Sequence, residues 1–177
     1  MKELKDYVRS IPDFPEEGII FRYVSTVLQD RDGFKLAVDS MIEKLKDVDF
    51  DVVVGPEARG FIFGTPIAYT LNKAFVPVRK KGKLPFKTIE ESYELEYGTA
   101  TLEAHIDSIQ KGQKVVIVDD IVAVGGTMDA IVKMVKNLGG ELVGMVALMG
   151  LTSLPGVEKL TPLGLKCLIY DDVKDEE

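Results

Sequence analysis

The sequence has few of the groups that would indicate a disulfide framework, a metal cluster or a membrane span. It contains one cysteine, Cys167, and one histidine, His105. A lone cysteine offers no disulfide framework and no metal cluster, and its apolar surroundings predict a buried side chain. His105 is predicted to be a loop or strand-end residue without a role. The longest uncharged run, residues 142–157, has 16 residues, whereas a membrane-spanning helix needs about 20.

Positive charge is also scarce. The 177 residues carry a net charge of −7, which argues against a general nucleic-acid-binding protein because phosphate neutralisation needs a basic surface. A small anionic substrate remains compatible with this charge, since a local basic cluster can override it. Residues 1–6 are charged and lack an apolar signal core. We therefore expect a cytoplasmic protein without a membrane or nucleic-acid partner.

What the sequence does contain is an alternation of strand-like and helix-like segments. Its length suits one compact domain, residues 1–177. Apolar spacing predicts helices over about 31–47, 60–71 and 127–138. Short apolar runs predict strands at 51–55, 74–78, 114–120, 142–148 and 165–170, and residues 92–104 predict a hairpin. This order predicts an α/β fold with a mainly parallel sheet flanked by helices, whose ligands bind beyond the carboxyl ends of the strands.

The most informative segment is residues 115–127. A buried strand ends in two carboxylates, Asp119 and Asp120, and a loop with two glycines leads into a helix at Thr127. The helix start and the Thr127 hydroxyl favour a phosphate, whereas the carboxylates suit a sugar diol or a hydrated magnesium ion. The segment has neither the Walker A pattern nor a dinucleotide fingerprint. It therefore predicts a site for ribose 5-phosphate.

This segment resembles the phosphoribosyl-pyrophosphate motif of the type I phosphoribosyltransferases, and the rest of the chain resembles their adenine-specific branch. The resemblance runs from about Val8 to Leu160. Its other motifs are residues 12–15, 18–22, 55–61, 79–85, 92–98 and 151–154. It implies a base-binding hood over about residues 1–30 and a flexible hairpin lid over about 80–106. It also implies the conversion of adenine and phosphoribosyl pyrophosphate to AMP and pyrophosphate in purine salvage, with Mg²⁺, by a homodimer.

The resemblance also assigns the donor-binding residues. Glu57, Ala58 and Arg59 would bind pyrophosphate, with a cis peptide bond between the first two. The basic cluster at residues 79–83 would neutralise the leaving group, although alone it reads as a solvated edge. Its candidate ligands are Arg79, Lys80 and Lys83. The ribose-phosphate residues are Asp119, Asp120, Ala123, Val124, Gly125, Gly126 and Thr127. Magnesium would be held mainly by the substrate, with a contribution from Asp119 and Asp120.

The base is assigned to an apolar slot. Phe21 and Ile121 would form its two walls, and backbone groups of Ile20 and Arg22 would read the base edge. On the hairpin, Glu96 would exchange a proton with N7 of adenine, and the adjacent Tyr97 would contact substrate. The implied catalytic residues are Glu96, Arg59 and Lys83. Catalysis would rest on positioning and charge stabilisation, with the hairpin excluding water.

Three positions depart from the family pattern. Val124 replaces a threonine of the phosphate loop, so one hydroxyl is lost, at a cost of roughly 1.5–3 kcal/mol in donor binding. Tyr23 replaces an aspartate beside the base segment. Gly150 replaces a glutamate and is expected to loosen the sheet end.

These departures keep two alternatives open. The first is a protein of the same fold that binds phosphoribosyl pyrophosphate or nucleotides with weak or no catalysis. Retention of Arg59, Lys83 and Glu96 argues against it, because a sensor needs no leaving-group machinery. The second is an enzyme for a 6-oxopurine, which would need a hydrogen-bond donor, often a lysine, at the base edge.

Overall fold

A computed structural model describes residues 2–95 and 97–173. The strands are β1 (Arg9–Pro12), β2 (Ile20–Tyr23), β3 (Val52–Pro56), β4 (Ala74–Lys80), β5 (Thr88–Glu94), β6 (Thr99–His105), β7 (Lys114–Val122), β8 (Glu141–Leu151) and β9 (Leu165–Asp171). The α-helices are α1 (Ser25–Gln29), α2 (Arg31–Lys44), α3 (Arg59–Thr70), α4 (Gly126–Asn137) and α5 (Pro155–Leu160). Single 3₁₀ turns span Leu4–Tyr7 and Thr161–Leu163.

Seven strands form the central sheet, in the order β5-β6-β4-β3-β7-β8-β9. Strands β4, β3, β7, β8 and β9 are parallel neighbours. Because the run at 115–118 lacks polar alternation, β7 can be buried on both faces, and it lies near the middle of the sheet. The predicted α/β fold with a mainly parallel sheet is confirmed.

Each face of the sheet packs against helices. Side chains alternate along a strand, so Val115 and Ile117 join the core under α4, whereas Val116 and Val118 join the core under α2 and α3. All four of these side chains are fully buried. The helices thus cover both faces and leave the strand ends as the place for a cavity.

The predicted hairpin is present but longer than expected. Its first strand begins at Thr88, because residues 88–91 pair with residues 102–105 in the antiparallel ladder. Strand β6 also pairs with β4, with Arg79 opposite Glu103. The hairpin therefore extends one edge of the central sheet.

The first two strands form a separate antiparallel sheet, which the sequence patterns did not predict. The N–H of Ile20 donates a 2.7 Å hydrogen bond to the carbonyl of Val173. Arg22 reaches the same region through the Asp171 carboxylate at 3.2 Å and the Asp172 carbonyl at 3.0 Å. The segment after β9 thus holds the N-terminal sheet in place.

The expectation that Gly150 loosens the sheet end is wrong. Strand β8 continues through Gly150 to Leu151. A β-carbon at Gly150 would come within 2.8 Å of Val157 Cγ2 and 2.9 Å of Cys167 Sγ. Neighbouring side chains therefore fill the space that a larger residue would need. Cys167 is buried, as predicted, and burial raises the pKa of its thiol to about 11.

No helix within residues 2–95 and 97–173 is long and apolar enough to cross a membrane.

Candidate active site

The functional segments meet at the carboxyl ends of β3 and β7. These strands are parallel neighbours, with Val54 opposite Ile117. The turn at residues 57–58 follows one strand, and the loop at residues 123–125 follows the other. Two segments at least 65 residues apart in sequence therefore lie side by side, as expected for strand ends in a parallel sheet.

Two cavities open at this edge. The first, of about 620 Å³, lies between the hairpin and the loop before α4 and is lined by Tyr93, Glu94, Leu95, Asp119, Ile121, Val122, Ala123, Val124, Gly125, Gly126, Thr127 and Met128. The second, of about 540 Å³, is lined by Ile19, Ile20, Phe21, Arg22, Pro56, Glu57, Ala58, Arg59, Asp119, Asp120, Ile121, Ala123, Thr127, Leu151 and Val173. Four residues line both cavities: Asp119, Ile121, Ala123 and Thr127.

The loop before α4 is shaped by backbone packing. Gly125 has a φ of 91°, which favours glycine, and a β-carbon there would lie 2.8 Å from the Cα of Gly156. The N–H of Gly156 in turn donates to the Ala123 carbonyl at 3.0 Å. Gly156, at the start of α5, was missed by sequence reasoning. The Pro155-Gly156 pair marks a turn or helix start, but nothing local identifies its partner.

The second glycine of the loop has a different partner. A β-carbon at Gly126 would lie 2.6 Å from Cδ2 of Tyr93 on the hairpin. The Tyr93 hydroxyl lies 3.0 Å from Oγ1 of Thr127. Gly126 therefore makes room for an aromatic ring, and Thr127 is in contact with the hairpin as well as the cavity.

The two carboxylates at the end of β7 are both buried. Burial, followed by the negative charge of Asp120, raises the pKa of Asp119 well above its ordinary value. Asp120 forms an ion pair with Nε of Arg59, whose side chain is half-exposed. The predicted pyrophosphate arginine and the predicted ribose carboxylate are therefore direct neighbours.

Glu57 fixes the first part of the basic cluster at residues 79–83. The peptide bond between Glu57 and Ala58 is cis, in agreement with the resemblance. Oε1 of Glu57 accepts hydrogen bonds from the N–H of Lys80 at 2.8 Å and from Nε of Arg79 at 3.3 Å. The same turn that presents Arg59 thus holds the end of β4.

Glu103 anchors the next part, which carries Lys83. Only 3% of Glu103 is exposed, and its Oε1 accepts from the N–H groups of Lys83 at 3.0 Å and Leu84 at 2.8 Å. Burial alone would raise the pKa of Glu103, but the backbone donors of Leu84, Gly82 and Lys83 outweigh it, so that the pKa is lowered. Sequence reasoning missed Glu103. Its sequence position, between the apolar strand residues Leu102 and Ala104, is typical of a side chain that faces solvent, so no local signal identified it.

The second cavity brings together the segments predicted for the base. Phe21 and Ile121 both line it. Phe14 packs edge-on against Phe21, with ring centroids 5.1 Å apart. The N–H of Ile20 donates to the Val173 carbonyl and is therefore not available to a base. Opposite Ile20 in β1 is Pro12, which has no N–H to donate to Ile20.

The other residues predicted for the site differ in their positions relative to the two cavities. Arg79, Lys80 and Lys83 do not belong to the lining of either cavity. Tyr97 is 87% exposed at the hairpin tip and also lies outside both linings. Val124 lines the first cavity and is 61% exposed. The prediction for Glu96 falls outside the described residues.

The glycine loop before α4 and the turn that carries Arg59 follow two neighbouring parallel strands, and this arrangement defines a phosphoribosyltransferase. The family model described as phosphoribosyl transferase domain matches residues 25–175. An adenine phosphoribosyltransferase of Lachnoclostridium phytofermentans is 66% identical over 160 residues, which cover 90% of this chain and 92% of that protein. The chain belongs to the adenine phosphoribosyltransferase family.

Solved structures agree with this assignment. Adenine phosphoribosyltransferase from Thermoanaerobacter pseudethanolicus has a TM-score of 0.89 at 47% identity, covering 94% of this chain and 97% of that one. The Saccharomyces cerevisiae adenine phosphoribosyltransferase, solved with an imino-altritol bisphosphate and adenine, has a TM-score of 0.82 at 35% identity, with 95% of each chain covered.

Proposed function

We propose that this chain transfers the 5-phosphoribosyl group of phosphoribosyl pyrophosphate to adenine, giving AMP and pyrophosphate. The observation that carries the proposal is that the two cavities share four lining residues: Asp119, Ile121, Ala123 and Thr127. A ribose phosphate in the first cavity and a base in the second would meet above these residues. Transfer requires this close approach of the two reactants.

The first cavity suits the phosphate end of the donor. The N–H groups at the start of α4 and the Thr127 hydroxyl are hydrogen-bond donors for the 5-phosphate. The carboxylates of Asp119 and Asp120 accept hydrogen bonds from the ribose hydroxyls. Arg59, which lines the second cavity, and the basic residues Arg79, Lys80 and Lys83 would bind the pyrophosphate.

The acidic pair also suits Mg²⁺, and we include this ion in the proposal. Within residues 2–95 and 97–173, no three His, Cys, Asp or Glu side chains form a metal-binding group. Two carboxylates fit an ion held mainly by water and by the donor, which is the usual mode for Mg²⁺. When bound, the ion supplies positive charge to the pyrophosphate and the ribose hydroxyls.

The reaction exchanges one bond at C1′ for another. The C1′–O bond breaks and its electron pair leaves with pyrophosphate, while N9 of adenine forms the new bond. Arg59 and Lys83 stabilise the charge that develops on the leaving group. The proton on N7 passes to Glu96, a role that remains a prediction from the resemblance.

The base cavity favours adenine over a 6-oxopurine. The amino group of adenine is a donor, whereas the 6-oxo group of guanine is an acceptor. The Ile20 carbonyl matches the donor. Among the described residues, no lysine lines this cavity.

The test is a base-specificity assay with purified protein, phosphoribosyl pyrophosphate and Mg²⁺. We expect AMP from adenine, and at least about 100-fold lower kcat/KM with hypoxanthine or guanine, since an unpaired buried polar group can cost several kcal/mol. Equal rates with a 6-oxopurine would reject the assignment of adenine. Tight binding of the donor in calorimetry without turnover at millimolar substrate would instead identify a sensor. The homodimer and the cytoplasmic location remain predictions.

A further inference from the structure

We propose that Tyr93 is a positioning residue that directs the hydroxyl of Thr127 toward the 5-phosphate of the donor. The inference rests on the proposed function, because it assigns the phosphate of the substrate to the loop before α4. It concerns a hairpin residue that none of the sequence patterns assigned to the site.

The geometry supports a specific contact between Tyr93 and the loop. The two hydroxyl oxygens of Tyr93 and Thr127 are 3.0 Å apart, and the pair is partly buried. The Tyr93 ring lies against Gly126, where any larger residue would meet it. A second contact joins the same strand to α4, since Asn137 Nδ2 donates to Glu91 Oε1 at 3.2 Å.

The direction of the hydrogen bond follows from the ligand. A threonine hydroxyl has one proton to donate and two lone pairs. A phosphate dianion offers only acceptors, so Thr127 must donate its proton to the ligand. The remaining role of Thr127 toward Tyr93 is that of acceptor, and the Tyr93 hydroxyl becomes the donor. In the complex, Tyr93 thereby holds the Thr127 hydroxyl with its proton directed at the phosphate.

Val124 makes this arrangement more important in the present chain. Within the loop at residues 123–127, the sequence Ala-Val-Gly-Gly-Thr has one side-chain hydroxyl, that of Thr127. The phosphate therefore depends on a single hydroxyl and on backbone donors. Losing the group that orients this hydroxyl should affect affinity directly.

The experiment uses Tyr93→Phe, which keeps the ring against Gly126 and removes only the hydroxyl. We expect about three- to tenfold weaker binding of ribose 5-phosphate by calorimetry, as for the loss of one hydrogen bond. KM for phosphoribosyl pyrophosphate should rise by the same factor, while KM for adenine and the thermal midpoint stay unchanged. The matched control is Tyr69→Phe, at a 90% exposed tyrosine of α3.

A double-mutant cycle separates this role from a structural one. In a Thr127→Val background, Tyr93→Phe should cause no further loss of ribose 5-phosphate affinity. Unchanged affinity in Tyr93→Phe, or an undiminished loss in the Thr127→Val background, would overturn the inference. The titration does not depend on turnover, so absence of AMP formation would reject the proposed function while this test still gives its own answer.

Discussion

The candidate site has a phosphate side, at the loop before α4, and a basic side, at residues 57–59 and 79–83. The two sides are built from different interactions. On the phosphate side, the loop before α4 is held by close backbone packing between Gly125 and Gly156. On the basic side, cations and their backbone are held by carboxylates, as Glu57 does for Arg79. One side therefore has a fixed shape, whereas on the other both arginines, Arg59 and Arg79, are already paired with carboxylates of the protein.

This difference has a consequence for binding. Among the described residues, no N-cap side chain satisfies the backbone N–H groups at the start of α4, so these groups need no rearrangement to bind an anion. On the other side, Arg59 is in an ion pair with Asp120. Contact between Arg59 and pyrophosphate requires exchange of one carboxylate partner for an anionic ligand. The exposed fraction of Arg59 makes this exchange sterically simple.

The largest effect should come from adding one methyl group on the phosphate side. In Gly156→Ala, the new β-carbon would meet the Ala123 carbonyl oxygen and lie 2.8 Å from the N of Gly125. These are backbone atoms, so the loop must move. We expect kcat/KM for the donor to fall about 100-fold, as for a misplacement of about 1 Å.

A matched substitution, Gly144→Ala, controls for this change. A β-carbon at Gly144 has its nearest neighbours at 3.9 Å, so activity should be unchanged. Circular dichroism and thermal unfolding of both variants establish that the fold is retained. Wild-type kinetics in Gly156→Ala would contradict the view that backbone packing shapes this side.

An intermediate effect should come from restoring a hydroxyl to the same loop. Val124→Thr adds a donor at a position that lines the first cavity. We expect KM for the donor to fall at least about tenfold, in line with the roughly 1.5–3 kcal/mol that the lost hydroxyl costs. Val124→Ala, which adds no hydroxyl, serves as the control. If Val124→Thr leaves donor affinity unchanged, the phosphate is not bound at this part of the loop.

The smallest effect should come from the carboxylate that anchors the Lys83 segment. The pKa of Glu103 is lowered in the folded chain from an ordinary value of 4.5, so its ionised form stabilises the fold above that pH. This stabilisation is lost as the pH falls through the lowered pKa. We therefore expect Glu103→Gln to unfold about 1 kcal/mol more easily than wild type at pH 7, with the difference shrinking below pH 4.5.

Urea unfolding at several pH values measures this prediction. Glu90→Gln is the control, because Glu90 pairs with Lys81 on the surface and its side chain is partly exposed. The Glu103 variant should also show a KM for the donor raised a few-fold, since the backbone N–H groups of Lys83 and Leu84 exchange a charged acceptor for a weaker neutral one. A stability difference that is constant from pH 3 to pH 7 would show that the charge of Glu103 does not matter.

The strand ends were predictable because the relevant residues are local. Asp119, Asp120 and Thr127 follow one buried strand, and Arg59 follows another. The carboxyl ends of parallel strands lie at one edge, so a sequence pattern suffices to bring these groups together. The prediction of the sheet rests on the same uninterrupted apolar runs.

Other parts of the site depend on contacts between distant segments. Tyr93, Glu103 and Gly156 act on residues 19–34 positions away, and no local pattern identifies those partners. Glu103 follows a strand pattern in which a polar residue normally faces solvent. The short helices α1 and α5 also escaped prediction, because five or six residues are too few to show helical periodicity.

The hydrogen bond between the backbones of Ile20 and Val173 determines when the second cavity can be completed during synthesis. Arg22 and its acceptor Asp172 are 150 residues apart in the chain, and closing so long a loop is slow. The loop before α4 and its partner Gly156 lie within one continuous stretch, residues 114–160. In a chain made from the N-terminus, the donor side has all of its residues before the base side does. The second cavity is therefore the last of the two to have all of its lining residues synthesised, since Val173 belongs to it.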